Sequence, residues 1–235
     1  MISFKENQGY LKEEIKERLK KYSSSILSDS LNELGYKNGN VLPASIKGIE
    51  ANQKIIGLAT TIYAPHGNSL PFHLAIYKYA KNRVLVVETG NYEDGPYIGD
   101  ILTLTAKLNL SQGFIINGYI RDIEDIRKLD FPIFCKGAMP NKPSKKDEGT
   151  INHTIKIGNV EINSGDIIVA DEDGIVVIPL DKIEKVMENA DKKLLKEEER
   201  KDLIKSFNFS KAQELEDYLD LMTKDVREYI LNRKF

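Results

Sequence analysis

Two short motifs carry the groups in this sequence best suited to chemistry: Arg121-Asp122, at the end of the apolar run FIINGYI, and Gly99-Asp100 in GPYIGDILTLTAK. A guanidinium is a planar, two-pronged donor that fits a carboxylate, and an aspartate beside it offers the hard oxygen ligands that a divalent cation takes. Two structural roles fit the same pair, a local ion pair or an aspartate that caps the helix IEDIRKL. Gly99 and Asp100 stand where a helix begins. The N–H groups left open there, with the positive end of the helix dipole, favour a carboxylate or phosphate. Asp100 is equally a good cap for that helix.

The elements that position these motifs are legible from periodicity. A strand that leaves the core at its C-terminal end delivers its last side chains to the sheet rim, where open α/β proteins place ligands, and FIINGYI is such a strand. From Lys54 onward, short apolar runs separated by glycine read as further strands: IIGLATTIYA, RVLVVET, FPIFCKG and VEINSGDIIVADEDGIVVIP. SLPFHLAIYKYAK and GPYIGDILTLTAKLNL alternate with them and carry helical spacing, so a mixed α/β core is expected. Runs such as VLVV and FII suit strands covered on both faces, whereas TIKIGNVEI alternates like a half-exposed hairpin around Gly158-Asn159. Residues 10–35 read as two helices divided at the serines of SSSILSDSLNELGY, with Leu27, Leu31 and Leu34 facing inward and Gly35 as the stop. KNGNVLPAS is a turn, and ADEDG is a tight turn between strands, since it lacks the twelve-residue ligand pattern of a calcium loop. From Asp181 the chain is helical and strongly charged. Its apolar stripe, Leu215, Leu219, Met222, Val226, Tyr229 and Ile230, must lie against this chain's core or a neighbouring subunit.

Composition bounds the possibilities. A chain of 235 residues, 41% hydrophobic and 30% charged, buries a full core, and a single domain over 1–235 is the expectation. The 34 basic and 36 acidic residues leave a net charge of −2, so no global field draws nucleic acid, and no aromatic-basic platform for RNA is present. The only cysteine, Cys135, rules out an internal disulfide framework and reads as a small buried apolar residue beside Phe134 rather than a nucleophile. The N-terminal stretch carries charges where a signal peptide needs an apolar core, and no apolar run approaches the roughly 20 residues of a membrane span. A cytoplasmic protein is expected.

The block GDILTLTAKLNLSQGFIINGYIRDIEDIRKLDFPIFCKGAMPNKP, followed by SGDIIVADEDGIVVIP, closely resembles the family that unites 4-hydroxy-4-methyl-2-oxoglutarate aldolase with the regulator of ribonuclease activity A. Upstream the resemblance extends through SDSLNELG and KIIGLATTIYAPHGN, covering roughly residues 25–200 and leaving 207–235 as a helical extension. It implies an α/β/β sandwich of the swivelling-domain type with charged C-terminal helices, assembled as a trimer or hexamer with active sites between subunits. It also implies that Gly99, Asp100, Ile101 and Leu102 hold a pyruvyl group, that Arg121 binds the substrate, and that Asp122 ligates magnesium or manganese. Asp100 would hold a metal-bound water. A glutamate from a neighbouring subunit completes such sites, and Glu197, Glu198 and Glu199 are the candidates here.

The implied reaction is the cleavage of a 4-hydroxy-2-oxo acid, or the decarboxylation of oxaloacetate, through pyruvate enolate. None of the carried-over residues is a lysine able to form a Schiff base, so a metal must take the charge. The alternative is a non-catalytic member that binds a ribonuclease or helicase. The sequence departs from the family pattern at Leu110, where glycine is usual, and at Asn117, where aspartate is frequent. His66 and His73 lie near the APHGN turn and on the following helix; for His66 and Asn68 a structural or surface role competes with one in the cleft.

Overall fold

In the computed structural model, residues 1–6, 9–208, 219, 222 and 224–232 are described. Short strands β1 (Ser3–Phe4) and β2 (Lys47–Gly48) close the two edges of the main sheet path. Between them β3 (Ile55–Tyr63), β4 (Arg83–Glu88), β5 (Gly113–Ile120) and β6 (Ile133–Ala138) pair in parallel, in sequence order. On its far side β3 is bordered antiparallel by β7 (Thr150–Ile151) and by β10 (Ile167–Ala170), which in turn pairs with β11 (Ile175–Ile178). β8 (Ile155–Ile157) and β9 (Val160–Ile162) form a separate hairpin, with Gly158 at φ 60° in the first of its two loop positions, where such a tight loop needs a positive φ.

The connections between the parallel strands are the helices that the periodicity predicts: α3 (Leu70–Tyr79), α4 (Asp100–Leu108) and α5 (Ile123–Lys128). They follow the N-terminal pair α1 (Glu13–Leu19) and α2 (Ser24–Glu33). The serine that divides that pair is Ser23, whose side chain accepts a hydrogen bond from the Ile26 N–H at 3.2 Å. Leu27 and Leu31 are fully buried, while Leu34 is only half-buried. The ADEDG turn closes through the Asp171 N–H on the Gly174 carbonyl at 3.0 Å.

Two separate cores explain why the central strands read as unbroken apolar runs. Leu85 and Val87 of β4, with Phe114 and Ile116 of β5, face Phe72, Ile76, Leu102 and Ile126 of the helical layer. The alternate residues Val84, Val86 and Ile115 face the other way, against Ile155, Ile157, Ile162 and Ile168 of the β layer. Both faces are therefore covered, and alternation disappears from the sequence. Phe114 anchors the helical side, edge-on to Phe72 at 4.9 Å and to Phe131 at 4.8 Å between ring centroids. The α/β/β sandwich expected from the resemblance is the architecture found.

Cys135 lies in the helical-side core at 3% exposure, and burial pushes its thiol up to about 11. Thiolate is the reactive form, so iodoacetamide at pH 8 should label the native protein on the order of 10²-fold more slowly than the unfolded chain. Mass spectrometry over time reads this directly, and equal labelling rates would contradict the burial.

The chain divides into two compact units, Met1–Ala190 and Asp191–Phe235, and the boundary lies inside α6 (Ile183–Ser206) and inside the block that the sequence treats as one domain. In the second unit, Glu197, Glu198 and Glu199 are exposed on α6. Of the C-terminal stripe, Leu219 is buried, Val226 and Tyr229 are exposed, and Leu215 lies outside the described residues. No helix among the described residues is long and apolar enough to cross a membrane.

Candidate active site

Strand β5 ends as the sequence suggests, with Ile120 fully buried and Arg121 and Asp122 at the rim, their side chains 37% and 32% exposed. Its pairing with β6 slips between Ile116 and Tyr119, an irregularity that adds twist before the strand leaves the sheet. Two backbone bonds then pin the exit: Arg121 N–H to the Ile98 carbonyl at 2.9 Å and Met139 N–H to the Ile120 carbonyl at 2.8 Å.

Asp122 occupies the N-cap position of α5, but its side chain caps nothing. Its backbone is left-handed, φ 58° and ψ 39°, a conformation that costs a non-glycine residue about 1–2 kcal/mol. The carboxylate Oδ2 instead accepts a hydrogen bond from Arg121 Nε at 3.1 Å. Of the two structural roles open to this pair, the ion pair forms and the cap does not. The main-chain twist at Asp122 sends the carboxylate toward Gly99 rather than the first turn of α5.

Gly99 shows how closely α4 approaches. A Cβ built there would lie 2.2 Å from Asp122 Oδ2 and 3.2 Å from Arg121 Cγ. Its φ of −136° suits any residue, so space and not backbone freedom demands glycine. Gly99→Ala is therefore expected to displace the Arg121-Asp122 pair by about 1 Å at nearly unchanged stability, which a crystal structure of the variant with thermal melts would read. An unmoved pair would show that the contact is looser than the backbone positions imply.

The start of α4 carries no side-chain cap. Its first-turn N–H groups, on Asp100, Ile101 and Leu102, have no acceptor within the helix and open at a cleft of about 350 Å³. Gly99, Asp100, Ile101, Leu102, Arg121 and Asp122 all line this cleft, so the two motifs singled out in the sequence meet in one place.

Five further residues with polar side chains share the cleft without having been assigned to it: Ser69, His73, Tyr97, Lys142 and Lys145. The lysines belong to the segment after β6, and a buried asparagine holds that segment in place. Asn68 accepts from the Lys146 N–H at 2.8 Å and donates through Nδ2 to the carbonyls of Lys146 and Glu148 at 2.8 and 2.7 Å. Ser69 adds its N–H and hydroxyl, both donated to the Ser144 carbonyl at 2.9 and 3.0 Å. Asn68 is thus a brace, and His66, exposed and outside the cleft lining, contributes its carbonyl to the Ser144 hydroxyl at 3.1 Å. Tyr97 is fully buried; its hydroxyl donates to the Thr89 carbonyl at 3.3 Å and accepts from the Gly67 N–H at 3.1 Å, and burial pushes it up to about 12. Burial, and after it the charge of Lys145, push His73 below its ordinary value.

Fold and cleft together define a class: an α/β/β sandwich in which an arginine–aspartate pair at a strand end is packed on the uncapped start of a helix. The chain belongs to the RraA-like family (Aldolase/RraA), whose sequence profile matches residues 24–177. It is 34% identical over 177 residues to a Halalkalibacterium halodurans protein named "Putative 4-hydroxy-4-methyl-2-oxoglutarate aldolase", covering 75% of this chain and 82% of that one. DlpA of Legionella pneumophila is 36% identical over 202 residues, 83% of this chain but only 32% of its own length, so the chain spans about a third of that relative. Among solved structures, Streptomyces coelicolor RraAS2, described as an unusual member of the RNase ES inhibitor RraA family, superposes with a TM-score of 0.71 at 26% identity, over 80% of this chain and 98% of that one.

Proposed function

We propose that this protein is a divalent-metal-dependent lyase that releases pyruvate from 4-hydroxy-2-oxo acids of the 4-hydroxy-4-methyl-2-oxoglutarate type or from oxaloacetate. The observation that carries the reading is the convergence of the α4 start, Arg121 and Asp122 on one cleft, at a separation that only glycine at position 99 permits. The names of relatives such as the one from Halalkalibacterium halodurans support it.

The donor set fits magnesium or manganese. Among the described residues, no three His, Cys, Asp or Glu side chains gather to hold a metal by themselves. Magnesium needs no such cage, because it keeps several waters and accepts one or two carboxylates beside substrate oxygens. Asp122 supplies that carboxylate: Arg121 orients it through Oδ2, and no described residue bonds Oδ1. When bound, the cation supplies Lewis-acid stabilisation of the charge that develops on the 2-oxo oxygen.

The chain's own groups do the rest. The open N–H groups of Asp100, Ile101 and Leu102 receive the carboxylate of the pyruvyl half. Breaking the C3–C4 bond leaves its electron pair on that half as an enolate, and Arg121 holds a fixed positive charge beside it. The 4-hydroxyl loses its proton as the new carbonyl forms, and C3 regains one. Asp100, in the same cleft, holds the water that moves these protons. Assembly as a trimer or hexamer belongs to the same proposal. The exposed apolar residues Ile101, Leu104 and Leu108, at 77%, 43% and 74% exposure, stand three and four residues apart on α4 and support such a contact. A cytoplasmic location suits a chain with a single cysteine.

The test is pyruvate release from both substrates with magnesium and then with excess chelator. Release that stops with the chelator and returns with magnesium or manganese supports the proposal. The Streptomyces relative, described within an RNase ES inhibitor family, favours a second reading, a binding protein without catalysis. Absence of turnover together with recovery of a ribonuclease or helicase in a pull-down would make that the better account.

A further inference from the structure

The irregularity in β5 is a bulge. Between Ile116, opposite Cys135, and Tyr119, opposite Gly137, β5 places two residues, Asn117 and Gly118, against the single Lys136 of β6. Arg121 and Asp122 follow directly, so the bulge sets where they point. Were its extra residue absorbed elsewhere, the strand beyond it would slip by one position and present its side chains to the opposite face. Both bulge residues are held from neighbouring segments. Asn117 donates through Nδ2 to Glu88 Oε2 at 2.7 Å, its carbonyl accepts from the Thr89 hydroxyl at 2.7 Å, and Glu88 Oε1 accepts from the Gly90 N–H at 2.8 Å. Gly118 is covered by the ring of Tyr97. A Cβ there would lie 3.2 Å from Tyr97 Cε2 and 2.9 Å from Thr89 Cγ2, so glycine lets the ring lie on the strand. The Tyr97 N–H bonds the Tyr119 carbonyl at 2.9 Å, and the next carbonyl, that of Ile98, takes the Arg121 N–H. At the far end of the ring the hydroxyl joins the Gly67 N–H to the Thr89 carbonyl, and the Gly67 carbonyl takes the Ser144 N–H at 2.9 Å.

We infer that Tyr97 is a positioning residue: it locks the bulge of β5 to the start of α4 and so sets where Arg121 and Asp122 stand relative to Gly99 and Asp100. Its consequence for turnover rests on the proposed lyase reading, but the lock itself does not. The hydroxyl is occupied by two backbone groups, so its part is geometric and not that of an acid or base. Tyr97, Gly67 and Thr89 are all buried, and without the hydroxyl the Gly67 N–H loses its acceptor where water does not reach. The loop that carries Gly67 then separates from the ring, the ring shifts on Gly118, and the bulge loosens beneath it.

Amide exchange and turnover test this separately. Tyr97→Phe removes the hydroxyl and keeps the ring. In hydrogen–deuterium exchange of the full-length protein, read by mass spectrometry, peptides carrying Tyr97–Thr103 and Asn117–Ile123 should exchange at least about tenfold faster than in wild type, while those of α1, α2 and the β8–β9 hairpin keep their rates. Gly118→Ala displaces the ring from the strand side with the hydroxyl intact, and it should give the same pattern. Ile157→Val, in the other core, is the control for a plain loss of stability: it should lower Tm and leave exchange in the two segments as it was. Unchanged exchange at both segments in Tyr97→Phe, or an increase spread evenly over the protein, would overturn the inference. In turnover, Tyr97→Phe should lower kcat for pyruvate release about tenfold with KM within about twofold of wild type, and Ile157→Val should leave both unchanged. Equal losses in the two variants would also overturn it. A wild-type protein without turnover would remove the lyase reading, and the exchange measurement would still decide the lock.

Discussion

Asp122→Ala should lower magnesium-dependent pyruvate release by about 10³-fold or more, on the order of 4 kcal/mol of transition-state stabilisation. The reasoning is local. Asp122 is the carboxylate placed between Arg121 and the start of α4, and its only hydrogen bond to a described side chain is the one from Arg121 Nε. The fold should survive, because a partly exposed ion pair contributes less than about 1 kcal/mol. A second term comes from the left-handed backbone, which aspartate tolerates better than alanine. Its loss adds about 1 kcal/mol, a fall of roughly 2–4 °C in Tm for a chain of this size. Asp122→Asn removes the charge while keeping a residue that accepts this conformation, so it should show the loss of activity with almost no change in Tm. Wild-type turnover by Asp122→Ala in the presence of magnesium would mean that the metal lies elsewhere or takes no part.

The second large effect is on Arg121. Arg121→Ala should remove about 3 kcal/mol of transition-state stabilisation, seen mainly in kcat, since the positive charge matters most when the enolate develops. Arg121→Lys should recover only part of this loss. An ammonium is a point charge, whereas Nε of Arg121 is committed to Asp122 Oδ2 at 3.1 Å and only a fork has further donors for the substrate. Because the two residues touch, their losses should not add. The double variant Arg121→Ala with Asp122→Ala should be little worse than Asp122→Ala alone. Full additivity would show two independent sites rather than one. A purely structural ion pair predicts something different, small changes in Tm, larger for Asp122→Ala by its backbone term, and no effect on pyruvate release.

Much of this protein was legible before any coordinates. Period and punctuation were enough for the parallel strands and their helices: VLVV marks a strand buried on both faces, Ser23 marks the start of α2, and Gly158-Asn159 marks the β8–β9 hairpin. These signals are short-range, and each is decided by which residues the chain places three, four or two positions apart. The motifs at 99–102 and 121–122 were legible for the same reason, since a glycine-aspartate helix start and an arginine-aspartate strand end are local patterns.

Tertiary structure alone decided the rest. That Asp122 turns away from α5 depends on a single left-handed residue and on a strand irregularity upstream, neither of which has a unique sequence signature. The need for glycine at 99 comes from a side chain distant in sequence, Asp122, lying where a Cβ would be. Lys142 and Lys145 join His73 at the cleft because Asn68 and Ser69 tie the segment after β6 to the start of α3, a link across more than 70 positions of chain. Sequence by itself therefore determined the elements and singled out the two motifs that meet at the cleft, because local spacing governs both. Which charges share the cleft was left to long-range hydrogen bonds and packing, whose partners are chosen only when the chain closes on itself.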